Sequence, residues 1–163
     1  MSVTVFDRLC AFLDRHEARY EVSRHRPVFT SAEAAAARGT ALASGAKALV
    51  CKLDDDFVMY VLPADRKLSS RQARRDAGAH RLRFATRDEV HEITGLVPGS
   101  IPPFGSLFDV PTLCDEALGN QAAGGDELIN FNAGDHAISI CLTFAEYCRV
   151  ERPNFGAYSE MPE

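Results

Sequence analysis

The sequence has no long apolar run, and its first twenty residues are not predicted to be a signal peptide. None of its apolar stretches reaches the ~18 residues that a membrane-spanning helix needs, so no membrane partner is expected. Asp7, Asp14 and Glu17 interrupt the first twenty residues, which therefore do not resemble a signal peptide. A cytoplasmic location is the resulting expectation. The length of 163 residues predicts one domain over 1–150, followed by an irregular tail over 151–163 that contains two prolines and a glycine.

Paired cysteines and spaced metal ligands are also missing. The chain has five cysteines, an odd number, and no two of them form a CxxC pair. No HxxxH or HExxH spacing occurs. A disulfide framework and a zinc site are therefore not expected, and we predict no metal and no other cofactor. Cys51 lies in the same apolar run as Lys47, so a Cys–His nucleophile stays open as a minor alternative.

Lysine is scarce in this chain. Only three lysines occur against fifteen arginines, and one of them, Lys47, opens the apolar run "KALVCKL" at 47–53. A lysine there can act as a point charge on a phosphate or a carbonyl, and its pKa shifts readily when the side chain is buried. The alternative is a solvated lysine at a strand edge.

The positive charges are concentrated in one segment. The net charge is −5, but residues 66–87 contain eight Lys or Arg and one Asp, a local charge of +7. A basic face in an acidic chain indicates a polyanion-binding surface, although a solvated helix face is the alternative. DNA is not expected as a partner. The candidate phosphate contacts are Arg66, Lys67, Arg71, Arg74 and Arg75, of which the last three share one helical face.

Periodicity and capping residues predict a mixed α+β domain around one curved sheet. The predicted helices cover 3–18, the segment "TSAEAAAARG" at 30–39 with a cap at Thr30 or Ser31 and Gly39 as the stop, 68–77, 86–95 and 144–149. The predicted strands cover 20–25, 47–53, 57–63, 81–85, 128–134 and 137–143, and 109–118 begins like a strand. Residues 120–127, "NQAAGGDE", are predicted to be a flexible turn.

The segment "TGLVPGSIPPFGSLFD" at 94–109 combines glycines, prolines and apolar residues, which fits neither a helix nor an ordinary strand. Within it, Gly99 allows unusual backbone angles, and Pro102 and Pro103 stiffen the exit. Such a loop can hold backbone N–H and C=O groups in fixed directions, as a site that orients water or stabilises an oxyanion requires. A wide connecting turn is the alternative interpretation.

Several of these segments, taken in order, resemble the YbaK-like family of aminoacyl-tRNA editing domains, which also occurs as an insertion in bacterial prolyl-tRNA synthetases. They are the cap near Thr30, "AKALV", "PADRKLS", "TGLVPGSIPPFG" and "LINFNAGDH", and the resemblance covers about residues 5–149. It implies an α/β fold around a curved, partly barrel-like mixed sheet.

The same resemblance implies hydrolysis of the ester of a mischarged aminoacyl-tRNA by a chain that acts in trans. Small amino acids such as Ala, Cys, Ser or Thr are the family's range, and tRNA(Pro) is the implied carrier. An asparagine follows the lysine in several alanine-editing members, whereas Ala48 follows Lys47 here, so alanine specificity is not carried over. The implied catalytic residues are Lys47, Gly99, Ser100, Ile101, Pro102 and Pro103, and the substrate-binding residues are His25, Thr30, Phe104 and His136.

Ester hydrolysis of this kind needs no metal and no nucleophilic side chain, because the aminoacyl ester is already activated and backbone groups can orient the water. Two further classes of function remain open at this stage. One is a non-catalytic module that binds tRNA or a synthetase. The other is a small-molecule esterase on the same scaffold.

Overall fold

The computed structural model describes residues 3–120 and 127–162, with the side chain of Asn120 excluded. Its helices are α1 (Val5–Arg15), α2 (Ser31–Arg38), α3 (Ser70–Ala77), α4 (Arg87–Thr94), α5 (Glu116–Asn120) and α6 (Phe144–Glu151). Its strands are β1 (Glu21–Arg24), β2 (Ala46–Leu53), β3 (Asp56–Pro63), β4 (Lys67–Leu68), β5 (Leu82–Phe84), β6 (Thr112–Asp115), β7 (Leu128–Asn132), β8 (Ile138–Thr143), β9 (Asn154–Gly156) and β10 (Ser159–Glu160). The predicted turn at 120–127 lies almost wholly outside the described residues.

Helix boundaries follow the capping residues. Thr30 caps α2, and its hydroxyl accepts the N–H of Glu33, while Gly39 ends the helix with a positive φ. Thr86 and Glu89 form the predicted capping box of α4. Helix α3 begins at Ser70 rather than at 68, because residues 67–68 pair with the tail as strand β4.

The strands form three open sheets rather than one continuous sheet. Five strands lie in the order β5-β2-β3-β6-β9, three in the order β1-β8-β7, and β4 pairs with β10. Strand β2 is antiparallel to β3 and β5, whereas β3, β6 and β9 are parallel, so the main sheet is mixed as predicted. A single bridge, from Gly45 to Asn130, joins the main sheet to the three-stranded sheet.

The two faces of β3 belong to two different apolar clusters. Met59 and Val61 point into the larger cluster, which also contains residues of α1, α4, α6 and β7. Val58, Tyr60 and Leu62 point into the smaller one, together with Ala73 of α3. Because neighbouring strand residues alternate between faces, one continuous apolar strand serves both clusters.

The C-terminal tail contains two short strands, where the sequence predicted an irregular segment over 151–163. Strand β9 joins the main sheet, and β10 pairs with β4. Tyr158 lies between them with 1% of its surface exposed, and its N–H donates to the Asp115 carboxylate at 2.7 Å. The prolines and the glycine of this segment led to the expectation of an irregular tail. The buried side chain of Tyr158 instead anchors the tail to the domain.

Candidate active site

A cavity of about 200 Å³ lies where the two larger sheets diverge. Strand β5 pairs only with Cys51–Leu53 of β2. No other described strand pairs with Ala46–Leu49 along that edge of β2, and these residues form one wall of the cavity. Asn130 and Asn132 of β7, the edge strand of the other sheet, form the facing wall. An unpaired strand edge presents backbone N–H and C=O groups, so both walls offer fixed backbone dipoles as well as side chains.

Two cations face this cavity, Lys47 from β2 and Arg38 from the last turn of α2. Burial lowers the pKa of Lys47, and the charge of Asp65 opposes that shift. Burial also lowers the pKa of Arg38, which a guanidinium tolerates without losing its proton at neutral pH. The site therefore carries positive charge in a partly desolvated setting, where it acts strongly on a phosphate or on a developing oxyanion.

Hydrogen bonds fix Arg38 in place. Its guanidinium donates to Asn132 Oδ1 at 2.9 Å and to Ser139 Oγ at 2.8 Å. His25 Nδ1 donates to the carbonyl oxygen of Arg26, so His25 Nε2 accepts the hydroxyl proton of Ser139, at 2.7 Å. His25 therefore supports Arg38 through Ser139 and does not itself line the cavity.

The predicted loop contributes Gly99 and Ile101 to the cavity. Residues outside the loop form hydrogen bonds with two of its carbonyl groups. Asn132 Nδ2 donates to the Gly99 carbonyl at 2.6 Å, and the Gly134 N–H donates to the Ser100 carbonyl at 2.8 Å. Within the described part of the chain, the N–H groups of Gly99 and Ile101 have no hydrogen-bond acceptor. Both residues line the cavity, and their N–H groups are not used within the described fold.

The other predicted loop residues turn away from the cavity. Ser100 is buried, and its hydroxyl donates to the Val97 carbonyl at 2.9 Å. Pro102 and Pro103 are buried as well, and the Pro103 carbonyl accepts the Tyr147 hydroxyl at 2.7 Å. Phe104 is fully buried in the larger cluster against Phe131 and Tyr147 and does not line the cavity.

The two remaining predicted substrate-binding residues lie at the rim. Thr30 lines the cavity, although its hydroxyl is used as the cap of α2. His136 does not line the cavity, but its Nδ1 donates to the Val28 carbonyl at 3.0 Å and its ring packs against Phe29. Both residues therefore shape the entrance.

Cys51 lies in the smaller apolar cluster and is fully buried. Burial raises the pKa of its thiol to about 12, so the thiolate that a nucleophilic cysteine needs does not form at neutral pH. The Cys–His alternative finds no support in this geometry. Among residues 3–120 and 127–162, no group of three or more His, Cys, Asp or Glu side chains is placed to hold a metal ion.

Arg71, Arg74 and Arg75 line one surface depression on α3, as their helical spacing predicted. Arg66 and Lys67 are engaged by the tail instead. Arg66 donates to Ser159 Oγ at 2.6 Å, and Lys67 lies 3.6 Å from the Glu160 carboxylate. No helix in the described part of the chain is long and apolar enough to cross a membrane.

Sequence reasoning missed Arg38, Asn130 and Asn132. A signal for the asparagines was present, because they alternate with buried Ile129 and Phe131 in an otherwise apolar strand. Arg38 lies three and four residues after Ala35 and Ala34, on the helix face that lines the cavity. Neither pattern indicates which residues form the facing wall of the cavity, because in each case that wall comes from a distant part of the chain.

Three comparisons with known proteins bear on this site. The model of the aminoacyl-tRNA editing domain family matches residues 25–149. The multifunctional Ser/Thr-tRNA deacylase ProXp-y of Escherichia coli (strain K12) is 37% identical over 150 residues, which cover 90% of this chain and 87% of that protein. The proline–tRNA ligase of Shouchella clausii (strain KSM-K16) is 38% identical over 97 residues, which cover 58% of this chain but only 16% of the ligase.

A solved structure described as a candidate trans-editing enzyme for prolyl-tRNA synthetase superimposes with a TM-score of 0.82. It is 23% identical, and the match covers 98% of this chain and 99% of that chain. At this identity, the likeness confirms the expected fold class.

Proposed function

Because the chain belongs to the aminoacyl-tRNA editing domain family, we propose that it is a trans-acting deacylase of mischarged tRNA. The single observation that carries the proposal is the cavity between β2 and β7, which Lys47, Arg38, Gly99 and Ile101 line together. This arrangement supplies positive charge and backbone groups around one cavity.

The proposed reaction is direct hydrolysis. Water attacks the carbonyl carbon of the aminoacyl ester, and the N–H groups of Gly99 and Ile101 stabilise the resulting oxyanion. The bond to the ribose oxygen then breaks, and that oxygen takes up one proton of the attacking water, so the tRNA leaves with a free hydroxyl. The amino acid leaves as its carboxylate, and the second proton of the water goes to solvent. The positive charges of Lys47 and Arg38 stabilise the negative charges of the acceptor-end phosphate and of the oxyanion.

We propose serine or threonine as the amino acid removed. A cavity of about 200 Å³ is smaller than the ~300–1,000 Å³ typical of drug-sized ligands, which favours a small side chain. Its walls include Asn130, whose side-chain amide oxygen can accept a hydrogen bond from a hydroxyl. The E. coli relative, named as a Ser/Thr-tRNA deacylase, supports the same choice.

We propose tRNA(Pro) as a carrier and a prolyl-tRNA synthetase as the class of partner. Two proline–tRNA ligases each contain a portion that is similar to this chain, and this similarity supports the choice. The portion is 19% of one ligase and 16% of the other. The depression formed by Arg71, Arg74 and Arg75 is the proposed contact with the acceptor-stem phosphates.

A panel of tRNA(Pro) charged with Ser, Thr, Ala, Cys or Pro tests the proposal. The wild type is expected to hydrolyse the seryl and threonyl esters fastest and to spare the prolyl ester. Lys47→Ala is expected to lower kcat/KM by ~10²-fold, because a charge contact to the reacting group is lost. Lys52→Ala is the matched control, since Lys52 lies on the same strand, outside the cavity. Hydrolysis of none of the five esters contradicts the function, whereas equal activity of Lys47→Ala contradicts only the role of Lys47.

A further inference from the structure

Phe29 is a large apolar side chain held in solvent at the rim of the cavity. It lines the cavity, yet 68% of its surface is exposed. Leu42, at 38%, is the other strongly exposed large apolar side chain among the described cavity residues. A single exposed ring beside a charged cavity differs from the extended apolar patch of a protein–protein interface, and it offers one flat face to a ligand.

The backbone on both sides of Phe29 is fixed. Val28 is fully buried, its N–H donates to the His136 carbonyl at 3.0 Å, and its own carbonyl accepts His136 Nδ1 at 3.0 Å. Thr30, on the other side, is the cap of α2. The backbone at Phe29 is therefore fixed, and little backbone entropy is lost when a ligand covers the ring.

His136 connects this ring to the hydrolytic loop. The rings of Phe29 and His136 lie 4.7 Å apart between centroids, at an angle of 39°. On its other side the imidazole abuts Gly99, where an added Cβ atom would lie 3.4 Å from His136 Cε1. The Phe29 ring, the imidazole and the Gly99 backbone thus form one continuous side of the entrance.

We propose that Phe29, supported by His136, is a stacking platform for the terminal adenine of the substrate's acceptor end. The proposal rests on the function proposed above. Single-stranded RNA ends are recognised largely by stacking of their bases on aromatic side chains, and every base has a face that can stack. Lys47 and Arg38 suit the phosphate and the ester, but neither provides an apolar plane for the base. Phe29 provides one at the entrance to the same cavity.

The test compares seryl-tRNA(Pro) with serine ethyl ester, which has no base. We expect Phe29→Leu to lower the ratio of kcat/KM for seryl-tRNA to kcat/KM for the ethyl ester by roughly 5- to 150-fold, the range that loss of one stacked base implies. The change is expected in KM. Phe29→Trp keeps an aromatic face and is expected to restore most of the ratio.

Phe155→Leu is the control, because Phe155 is also a strongly exposed phenylalanine but lies on β9, away from the cavity lining. An unchanged ratio in Phe29→Leu overturns the platform. An equal fall for both substrates also overturns it, since Phe29 would then act on the aminoacyl group.

A binding measurement separates this proposal from the proposed function. The trinucleotide CCA, followed by NMR, is expected to shift the ring signals of Phe29 and His136, while the same trinucleotide with an abasic 3′ end leaves them in place. Shifts of this kind support the platform even if no ester is hydrolysed. Absence of shifts at both rings at millimolar CCA overturns it even if the deacylase activity is confirmed.

Discussion

Gly99 has a φ of +95°, a backbone conformation that side-chain-bearing residues rarely adopt. Gly99→Ala adds a methyl group that strains this φ and approaches the His136 ring, so the direction of the neighbouring N–H groups changes. We expect kcat to fall by ~10²-fold, the usual loss when a backbone contact to an oxyanion is misplaced. The measurement is steady-state deacylation of seryl-tRNA.

Gly95→Ala is the matched control for Gly99→Ala. Gly95 also has a positive φ, +75°, but nothing lies within 4 Å of an added Cβ atom, and the residue ends α4 outside the cavity. Both variants are expected to lose ~1–3 kcal/mol of unfolding free energy through backbone strain. Equal kcat in the two variants would show that the loop acts only through stability.

Lys47 leads to a prediction about pH. Burial disfavours its charged form and lowers its pKa below the ordinary 10.5, so the ammonium charge is lost at a lower pH than in a solvated lysine. If the charge assists hydrolysis, kcat/KM falls on the alkaline side with an apparent pKa below 10.5, after subtraction of the uncatalysed rate.

Lys47→Arg provides the comparison, because a guanidinium stays protonated throughout the accessible range. The alkaline fall is expected to disappear in this variant, whatever its absolute rate. The same alkaline fall in both proteins would assign the titration to another group.

At the scale of the elements, helix ends were predictable from sequence and the cavity was not. The capping residues Thr30, Thr86 and Gly39 form hydrogen bonds with backbone groups only a few residues away. Local sequence patterns therefore predict the positions of α2 and α4. The cavity depends on which strand edges remain unpaired and on how β2 faces β7. That juxtaposition is long-range, and the alternation of Asn130 and Asn132 in β7 does not indicate which strand lies opposite them.

The tail is an element whose role follows from one side chain. Tyr158 fills the smaller cluster against Tyr60, with ring centroids 5.1 Å apart. Tyr158→Ala leaves a large void, and we expect a loss of ~3–5 kcal/mol in the free energy of unfolding, as for other large aromatic truncations in a core.

Denaturant unfolding of Tyr158→Ala beside Phe155→Ala checks this prediction. Phe155 lies in the same tail but is 49% exposed, so its truncation is expected to cost less than ~1.5 kcal/mol. Similar losses in the two variants would contradict the anchoring role of Tyr158.

At the scale of the whole molecule, the charge is divided between a basic segment and an acidic remainder. Residues 66–87 carry +7 within a chain of net charge −5. Reversal of Arg71, Arg74 and Arg75 to Glu is expected to weaken tRNA binding. It should also reduce the slope of log K against log salt by ~2–3, since each phosphate contact contributes about 0.7–0.9.

Reversal of Arg15, Arg19 and Arg152 changes the net charge equally at sites outside the basic segment. Binding isotherms at several salt concentrations distinguish the two triple variants. Equal slopes would show that only the overall charge matters and that the depression on α3 is not a contact surface.

Multiple-turnover hydrolysis of seryl-tRNA(Pro) tests the central claim most directly. With the ester in large excess over wild-type enzyme, we predict continuous release of serine, many equivalents per enzyme and well above the uncatalysed rate, with prolyl-tRNA(Pro) left intact. Stoichiometric binding of the tRNA without release of serine would contradict the account and identify a binding module instead.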